Sequence, residues 1–296
     1  MNKLELILEG LMRRYRERVP DVNRVLSAMI ADGLIKDAQE IENDHIAFRT
    51  IGVPHLGIQS LEKIFIYHGY TKRDYLYFEE KKLDAYWYAP PDPALPRIFI
   101  SELRVGDLSE KAQQIIHSYT DEVTADPVDT LDLDNPDQVD VFLHSGLWRL
   151  PTYADFSALA AESEYASWTI YNRYYLNHFT ISVHNLKEGY NHIEAYNQFL
   201  EKHGLQLNDA GGKFKKSPDG LLLQSSTVAG MIAANFADGV VHRISGSYVE
   251  FAERRLLPEY QQLPQVSVKR EHRRDGFEAA NANKIFESTY SSQTNK

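Results

Sequence analysis

The sequence predicts an α+β fold in which two βαβββ modules form a curved, barrel-like mixed sheet around a central cavity. The first observation is an alternating stretch at residues 44–50, which places His45 and Arg49 on one side of an extended strand and apolar residues on the other. The second is a partial echo of that stretch at residues 177–181. The third is that the same succession of elements follows both stretches. Together these observations indicate an internal repeat.

Helices are expected before, between and after the modules. Residues 3–18 have a helical apolar periodicity that ends at Pro20, and Asp21 begins a second helix that ends at Gly33. Residues 106–176 are mainly helical in pattern, with Ser109 and Thr152 as candidate N-caps. Since no flexible linker separates these parts, we expect a single domain over residues 1–296. Its parts would be 1–40 (N-terminal helices), 41–105 (first module), 106–176 (helical insert), 177–257 (second module) and 258–296 (connection and tail).

Within each module the elements follow one order. The first module would have strands at 44–51, 70–78, 85–89 and 97–105, with a helix after the first strand. The second would have strands at 177–184, 213–216, 220–226 and 240–252, with a helix at 190–202 and a loop or turn at 227–239. The helices end at comparable positions, because Gly69 follows His45 by 24 residues and Gly204 follows His178 by 26 residues. In the tail, residues 277–288 are expected to dock and residues 289–296 to be disordered.

Composition excludes several classes of function. The chain has no cysteine, which rules out disulfides, thiolate nucleophiles and zinc–cysteine sites and leaves histidines and carboxylates as metal ligands. A formal net charge of −10 disfavours binding to nucleic acid or to an anionic membrane. The first 18 residues do not resemble a secretory signal, and no apolar run is long enough to span a bilayer. A cytoplasmic protein is therefore expected.

Three residues are candidate metal ligands. His45 and His178 occupy equivalent positions in the two modules, and Glu250 lies in the last predicted strand. If the modules lie side by side, these strands meet around a common cavity. Two imidazoles and one carboxylate form the facial triad of non-haem Fe(II) oxygenases, and Zn²⁺ accepts the same ligands. The alternative is that both histidines are buried and satisfied by hydrogen bonds.

Two further polar residues belong to the same interpretation. Arg49 would lie roughly 13 Å from His45 at Cα, so a metal could hold one end of a small dianion and the guanidinium the other. The alternative is a solvated arginine. Glu102, the repeat mate of Glu250, is a possible fourth ligand, although a salt bridge with Arg104 is the preferred expectation. His184 shares a face with His178 but is too far along the strand for the same metal.

Several motifs together resemble one protein family. They are Asp44-His45-Ile46-Ala47-Phe48-Arg49-Thr50, Asn177-His178-Phe179-Thr180, Leu222-Leu223-Gln224-Ser225-Ser226-Thr227, Tyr248-Val249-Glu250-Phe251 and Gly276-Phe277-Glu278-Ala279-Ala280-Asn281. In combination they resemble the 2-oxoadipate dioxygenase/decarboxylase (hydroxyglutarate synthase) family, which is similar in core fold to the vicinal oxygen chelate superfamily. The resemblance covers most of the chain.

This resemblance implies an Fe(II) site made by His45, His178 and Glu250, with Arg49 as the catalytic arginine that grips the distal carboxylate of the substrate. It implies a cytoplasmic enzyme that converts 2-oxoadipate, a 2-oxo dicarboxylic acid, and O₂ to 2-hydroxyglutarate and CO₂ in lysine catabolism. Strand facing adds Gln224, Ser226 and Tyr248, which are expected either to contact the substrate or to support the metal ligands from behind. Two rivals remain: another metal-dependent reaction on the same scaffold, such as ring cleavage, isomerisation or a glyoxalase-like step, and a non-catalytic binding module.

Overall fold

The structure, a computed structural model, describes residues 2–296. Eight strands form one sheet that curls into a half-barrel, and two more form a separate hairpin. The strands are β1 (Asn43–Gly52), β2 (Thr71–Phe78), β3 (Leu83–Ala89), β4 (Arg97–Arg104), β5 (His178–Ser182), β6 (Lys215–Lys216), β7 (Leu222–Ser226), β8 (Met231–Asn235), β9 (Val241–Ser245) and β10 (Tyr248–Arg254). The order in the large sheet is β2-β3-β4-β1-β5-β10-β7-β6.

The sheet order confirms the predicted duplication. In the first module β1 pairs in parallel with β4, and in the second β5 pairs in parallel with β10. The two modules join where β1 and β5 run antiparallel. The hydrogen-bonded first strands of both modules therefore lie at the centre of the sheet, where residues from either module can reach the same point.

The helices are α1 (Lys3–Arg18), α2 (Pro20–Ala31), α3 (Ile58–Tyr67), α4 (Glu110–Thr120), α5 (Pro136–His144), α6 (Tyr153–Glu162), α7 (Glu164–Asn172), α8 (Ile193–Lys202), α9 (Ala279–Ile285) and α10 (Ser291–Thr294). Equivalent helices of the two modules cover the outer face of the sheet. Phe48 packs against Phe65 of α3 with ring centroids 5.5 Å apart, and Phe251 packs against Tyr196 of α8 at 5.2 Å. Burying each such ring contributes about 2 kcal/mol to the free energy of folding. The outer face of the sheet therefore packs against the helices, and the inner face can carry polar residues.

The segment after β7 differs from the prediction. Residues 227–239 were expected to be a loop and 240–252 a single strand, whereas β8 and β9 form a hairpin and a new strand begins at Tyr248. The hairpin turns at Asp238 and Gly239, a pair that suits tight turns because glycine adopts positive φ. Its apolar side, which includes Phe236, packs against aromatic residues of α6 and α7. Those contacts are distant in sequence, so local pattern did not reveal them.

The end of the tail also differs from the prediction. Residues 289–296 were expected to be disordered, but they include α10 and contact the body of the protein. The backbone N–H of Ser291 donates to Glu164 Oε2 at 2.6 Å, and that of Asp209 donates to Gln293 Oε1 at 3.1 Å. These anchors are polar, and a search for apolar periodicity does not detect them. Among residues 2–296, every helix is too short or too polar to traverse a bilayer.

Candidate metal centre

Three strands bring His45, His178 and Glu250 together on the inner face of the sheet. In the register of β1, β5 and β10, His45 and Glu250 both lie opposite Thr180, and His178 is two residues away on the same face. His178 Nε2 is 2.9 Å from Glu250 Oε2, and His45 Nε2 is 3.5 Å from Glu250 Oε1. One ligand atom from each residue lies within 4.8 Å of the others, and all three residues are buried. The predicted grouping is therefore present.

Both imidazoles are oriented by the residue that precedes them. His45 Nδ1 lies 2.8 Å from Asp44 Oδ1, and His178 Nδ1 lies 3.0 Å from Asn177 Oδ1. Because these oxygens accept a hydrogen bond from Nδ1–H, the lone pair of each ring is left on Nε2, the atom that faces the triad. Two neutral imidazole nitrogens and one carboxylate are a suitable donor set for a divalent transition metal. The residues present fit a metal ion.

Asp44 is itself held by two arginines. Arg254 binds it with two hydrogen bonds, from Nε to Oδ2 at 2.6 Å and from Nη2 to Oδ1 at 2.9 Å, and Arg97 Nη1 lies 3.3 Å from Oδ2. Burial alone would raise the pKa of Asp44, but Arg254 and Arg97 hold that pKa well below its ordinary value. The carboxylate is therefore ionised in the interior, and it accepts a hydrogen bond from His45 Nδ1–H.

The charges of the triad follow from these neighbours. Burial opposes ionisation of all three groups, yet His45 and His178 hold the pKa of Glu250 below its ordinary value. Glu250 and Asp44 together raise the pKa of His45 in spite of its burial. Burial lowers the pKa of His178, which has the neutral Asn177 as its neighbour. Glu250 is therefore an anionic ligand, and the two histidines lie in different electrostatic environments.

A small cavity of about 20 Å³, enough for about one water molecule, borders the triad. His45, His178, Glu250 and Gln224 form its polar side, and its apolar side comes from the tail and β4. The apolar lining residues are Phe99, Phe277, Ala282, Ile285 and Phe286. The ring of Phe277 packs edge-on against His45, with centroids 4.8 Å apart. The tail thus covers the metal ligands with apolar side chains.

Arg49 is on the predicted face, but it does not line this cavity. Its guanidinium is 1% exposed and donates to the Phe286 carbonyl at 3.0 Å and to Thr289 Oγ1 at 2.9 Å. The charge also lies over the rings of Tyr165 and Trp168, about 5 Å from each centroid. Among residues 2–296, no carboxylate pairs with Arg49, and its Nε has no hydrogen-bond partner. Arg49 is therefore a buried cation with only neutral partners, which differs from the solvated alternative.

Gln224, Ser226 and Tyr248 also lie on the inner face, in different surroundings. Gln224 Nε2 donates to Glu250 Oε1 at 2.6 Å. Ser226 Oγ contacts Ser288 Oγ of the tail at 2.8 Å and is not a lining residue of the cavity. The ring of Tyr248 stacks against His178 with centroids 4.8 Å apart, and its buried hydroxyl lies beside Arg49 without a well-formed hydrogen bond. Burial raises the pKa of that hydroxyl.

The sequence interpretation assigned Glu102 wrongly. Arg104 pairs with Asp84 and Asp107, not with Glu102. Glu102 is also outside the triad, and its Oε2 accepts a hydrogen bond from the backbone N–H of Ile58 at 2.7 Å. Since Ile58 is the first residue of α3, the carboxylate satisfies a free donor at a helix N-terminus, where negative charge is favourable.

Three polar residues near the ligands were not identified from the sequence. Asp44 and Asn177 each precede a candidate histidine ligand, and this shared position could have indicated that both orient the histidine that follows. Thr180 Oγ1 lies 3.0 Å from His45 Nε2. The signal for Thr180 was its place two residues after His178, on the same face of the strand.

Comparisons with known proteins identify the family of this chain. The family model for 2-oxoadipate dioxygenase/decarboxylase matches residues 7–265. The chain is 47% identical over 271 residues to the chloroplastic 2-oxoadipate dioxygenase/decarboxylase of Arabidopsis thaliana, covering 88% of this chain and 71% of that protein. It is 41% identical to the hydroxyglutarate synthase of Oryza sativa, whose crystal structure contains 2-oxoadipate, with a TM-score of 0.89 and coverage of 98% of this chain and 93% of that one.

A more distant similarity concerns the fold alone. A protein of Ralstonia eutropha JMP134 described as belonging to the glyoxalase superfamily is 19% identical, with a TM-score of 0.70 and coverage of 86% of this chain and 84% of that one. This similarity shows that the two chains share the same overall fold. The family match and the high identity to the plant relatives establish that this chain belongs to the 2-oxoadipate dioxygenase/decarboxylase family.

Proposed function

We propose that this protein is an Fe²⁺-dependent dioxygenase and decarboxylase that converts 2-oxoadipate and O₂ to 2-hydroxyglutarate and CO₂. The observation that carries the proposal is the buried His45–His178–Glu250 triad, which has the ligand set of an oxygenase in a member of this family. When bound there, Fe²⁺ would supply chelation of the 2-oxo acid and activation of O₂. The side chains of the protein would bind the substrate, orient it and exclude water.

Arg49 is the proposed binding group for the distal carboxylate of the substrate. A buried guanidinium without an acidic partner retains a large desolvation cost, which an incoming carboxylate offsets. The planar fork of arginine suits a carboxylate because two parallel hydrogen bonds can form. The Phe286 carbonyl and the Thr289 hydroxyl now accept the hydrogen bonds of the Arg49 guanidinium. These two groups must therefore move away when the substrate carboxylate binds.

Tyr248, Gln224 and Ser226 are proposed to support the substrate at different points. The Tyr248 hydroxyl lies beside Arg49, so it can donate to the same distal carboxylate. Gln224 borders the cavity and holds one oxygen of Glu250, which keeps that ligand oriented. Ser226 acts from behind the cavity through Ser288 of the tail.

The apolar wall has a role in the reaction. Phe277, Ile285 and Phe286 border the cavity next to the ligands, so water has little room beside a bound substrate. Exclusion of water strengthens the interaction of Arg49 with a carboxylate and protects reactive species from hydrolysis.

The proposed location of the protein is the cytoplasm, and its proposed pathway is lysine catabolism. The Arabidopsis relative is described as chloroplastic.

Oxygen consumption tests the proposed substrate. Protein loaded anaerobically with Fe²⁺ is mixed with 2-oxoadipate, 2-oxoglutarate or an aromatic 2-oxo acid, and O₂ uptake is followed. The expected result is rapid uptake with 2-oxoadipate and much slower uptake with the other two. Tight iron binding without uptake for any of them would reject the substrate assignment. Turnover of a substrate with Zn²⁺ and without O₂ would support an isomerase or a glyoxalase-like enzyme instead.

A further inference from the structure

The Gly276-Phe277-Glu278-Ala279-Ala280-Asn281 motif leads into α9 and ends at a buried asparagine. Phe277 of this motif covers His45, but the role of Asn281 is not explained by the cavity, which it does not line. Asn281 is 2% exposed, and so is Gln224, with which it is in contact. A buried amide of this kind needs hydrogen-bond partners, and those partners lead to the metal ligands.

A chain of two hydrogen bonds joins Asn281 to Glu250. Asn281 Nδ2 donates to Gln224 Oε1 at 3.0 Å, and Gln224 Nε2 donates to Glu250 Oε1 at 2.6 Å. Asn281 Nδ2 also donates to the carbonyl of Leu222 at 3.3 Å, which anchors it to β7. Both hydrogen atoms of the Asn281 amide are thus directed at acceptors on the strand that carries Gln224.

This arrangement permits only one orientation of the Gln224 amide. If that amide were reversed, its oxygen would face the Glu250 carboxylate and its NH₂ group would face the NH₂ group of Asn281. Two repulsive contacts would replace two favourable ones in a buried region, where electrostatic interactions are strong. Asn281 therefore determines which end of Gln224 meets Glu250.

We propose that Asn281 is a positioning residue for the metal site: through Gln224 it holds Glu250 Oε1 and leaves Oε2, the oxygen beside His178, as the ligand atom. This inference rests on the proposed function only in that Glu250 holds a metal. It makes the C-terminal segment part of the metal centre, although the family match ends at residue 265.

The test measures Co²⁺ binding to the metal-free full-length protein by titration, following the visible absorption of the bound ion. Asn281→Ala is expected to weaken Co²⁺ binding about 10-fold and to alter the absorption spectrum, as loss of an outer-shell partner does. Asn283→Ala is the matched control, since Asn283 is two residues along the same helix and is partly exposed; its affinity should equal that of the wild type. Both variants are also compared in melting temperature.

A double-mutant cycle separates positioning from packing. In a Gln224→Met background, Asn281→Ala should change Co²⁺ affinity less than about 2-fold, because the link to Glu250 is already cut. An equal loss in both backgrounds would overturn the proposal, and so would unchanged affinity in folded Asn281→Ala. If that variant does not fold, Asn281→Ser, whose hydroxyl is too short to reach Gln224, is held to the same criteria.

The measurement uses no substrate, so a failure to turn over 2-oxoadipate would overturn the proposed function and leave this inference standing. Absence of Co²⁺ binding by the wild type would overturn the inference, because Glu250 would then not be a ligand.

Discussion

The strands β1 and β5 occupy equivalent places in the two modules. They share a histidine but differ in the residue before it and in the residue four positions after it. In each copy the residue that precedes the histidine orients it, Asp44 in one and Asn177 in the other. Four positions after each histidine, Arg49 of the first copy corresponds to Ser182 of the second. The histidines, which both strands have, belong to the candidate metal centre. The charged residues Asp44 and Arg49 occur in the first strand only.

The asymmetry has a structural basis around each strand. Asp44 can be ionised in the interior because Arg254 and Arg97 surround it, whereas Asn177 needs no counter-charge. Ser182 Oγ donates a hydrogen bond to Glu42 Oε1 at 3.0 Å. Arg49, in contrast, is covered by the tail and donates to the Phe286 carbonyl. The comparison teaches that the repeat supplies the paired histidines of the candidate metal site, while the arginine found in only one copy supplies the proposed binding group for a substrate anion.

The largest expected effect comes from removing a ligand from either copy. His45→Ala and His178→Ala should each weaken Fe²⁺ or Co²⁺ binding by more than about 100-fold, beyond the effect of losing an outer-shell partner. Metal content after dialysis and a Co²⁺ titration measure this loss. If one variant retained wild-type affinity, the site would not be shared between the two copies.

The next effect concerns the arginine that only the first copy has. Arg49→Ala should weaken 2-oxoadipate binding about 100-fold, because a buried charge pair with the substrate is lost, while iron content stays near normal. Ser182→Ala, the equivalent change in the second copy, should leave substrate affinity unchanged. Loss of iron from folded Arg49→Ala would mean that Arg49 has a structural role at the metal centre and is not a substrate-binding residue.

Exchanging the residues that precede the histidines tests the electrostatic difference. Asp44→Asn makes the first copy resemble the second and leaves Arg254 and Arg97 without their buried carboxylate. The free energy of unfolding should fall by about 3 kcal/mol, and metal affinity should fall about 10-fold. Urea denaturation and Co²⁺ titration give the two values. A variant as stable as the wild type would show that the arginines find other partners.

A smaller effect should appear just after the end of β5. His184 has no counterpart in the first copy, where Ile51 stands, and its Nδ1 accepts the backbone N–H of Arg254 at 3.1 Å. Burial and the charge of Arg273 lower its pKa from 6.5 to about 3. Between these values the unfolded chain binds a proton that the folded chain does not, so stability falls as the pH falls.

Urea denaturation of the metal-free protein at pH 7 and pH 5 checks this effect. The loss of stability in the wild type should exceed that in His184→Gln by about 2 kcal/mol. Equal losses in the two proteins would mean that His184 is protonated in the folded state.

The repeat was predictable because it is local information. The alternation at 44–50, its echo at 177–181 and the Glu250 strand each depend on residues that are close in sequence, and all three ligands were identified from them. Sequence could not give the partners of Asp44, since Arg254 lies 210 positions away and the pairing depends on how the sheet curls. The prediction for Glu102 was wrong for the same reason, because its partner is a backbone N–H of α3 and not a side chain on its own strand.

The tail shows the other limit of sequence reasoning. Phe277, Ile285 and Phe286 were expected to dock, but their position against the triad depends on contacts with the sheet that periodicity does not encode. Arg49 was assigned to the right face for a simple reason, strand alternation, yet its cover by Phe286 and Thr289 was not predictable. Local pattern identifies which residues face inward, and tertiary packing decides what meets them.

The most direct test of the central claim is the fate of molecular oxygen in a single product. The Fe²⁺-loaded protein is supplied with 2-oxoadipate and ¹⁸O₂, and the 2-hydroxyglutarate and CO₂ formed are analysed by mass spectrometry. The balanced reaction predicts that both labelled atoms enter 2-hydroxyglutarate, one in the new carboxylate and one in the hydroxyl group, and that CO₂ is unlabelled. A product that carries one labelled atom, or none, would contradict the assignment of this site as a dioxygenase that decarboxylates its own substrate.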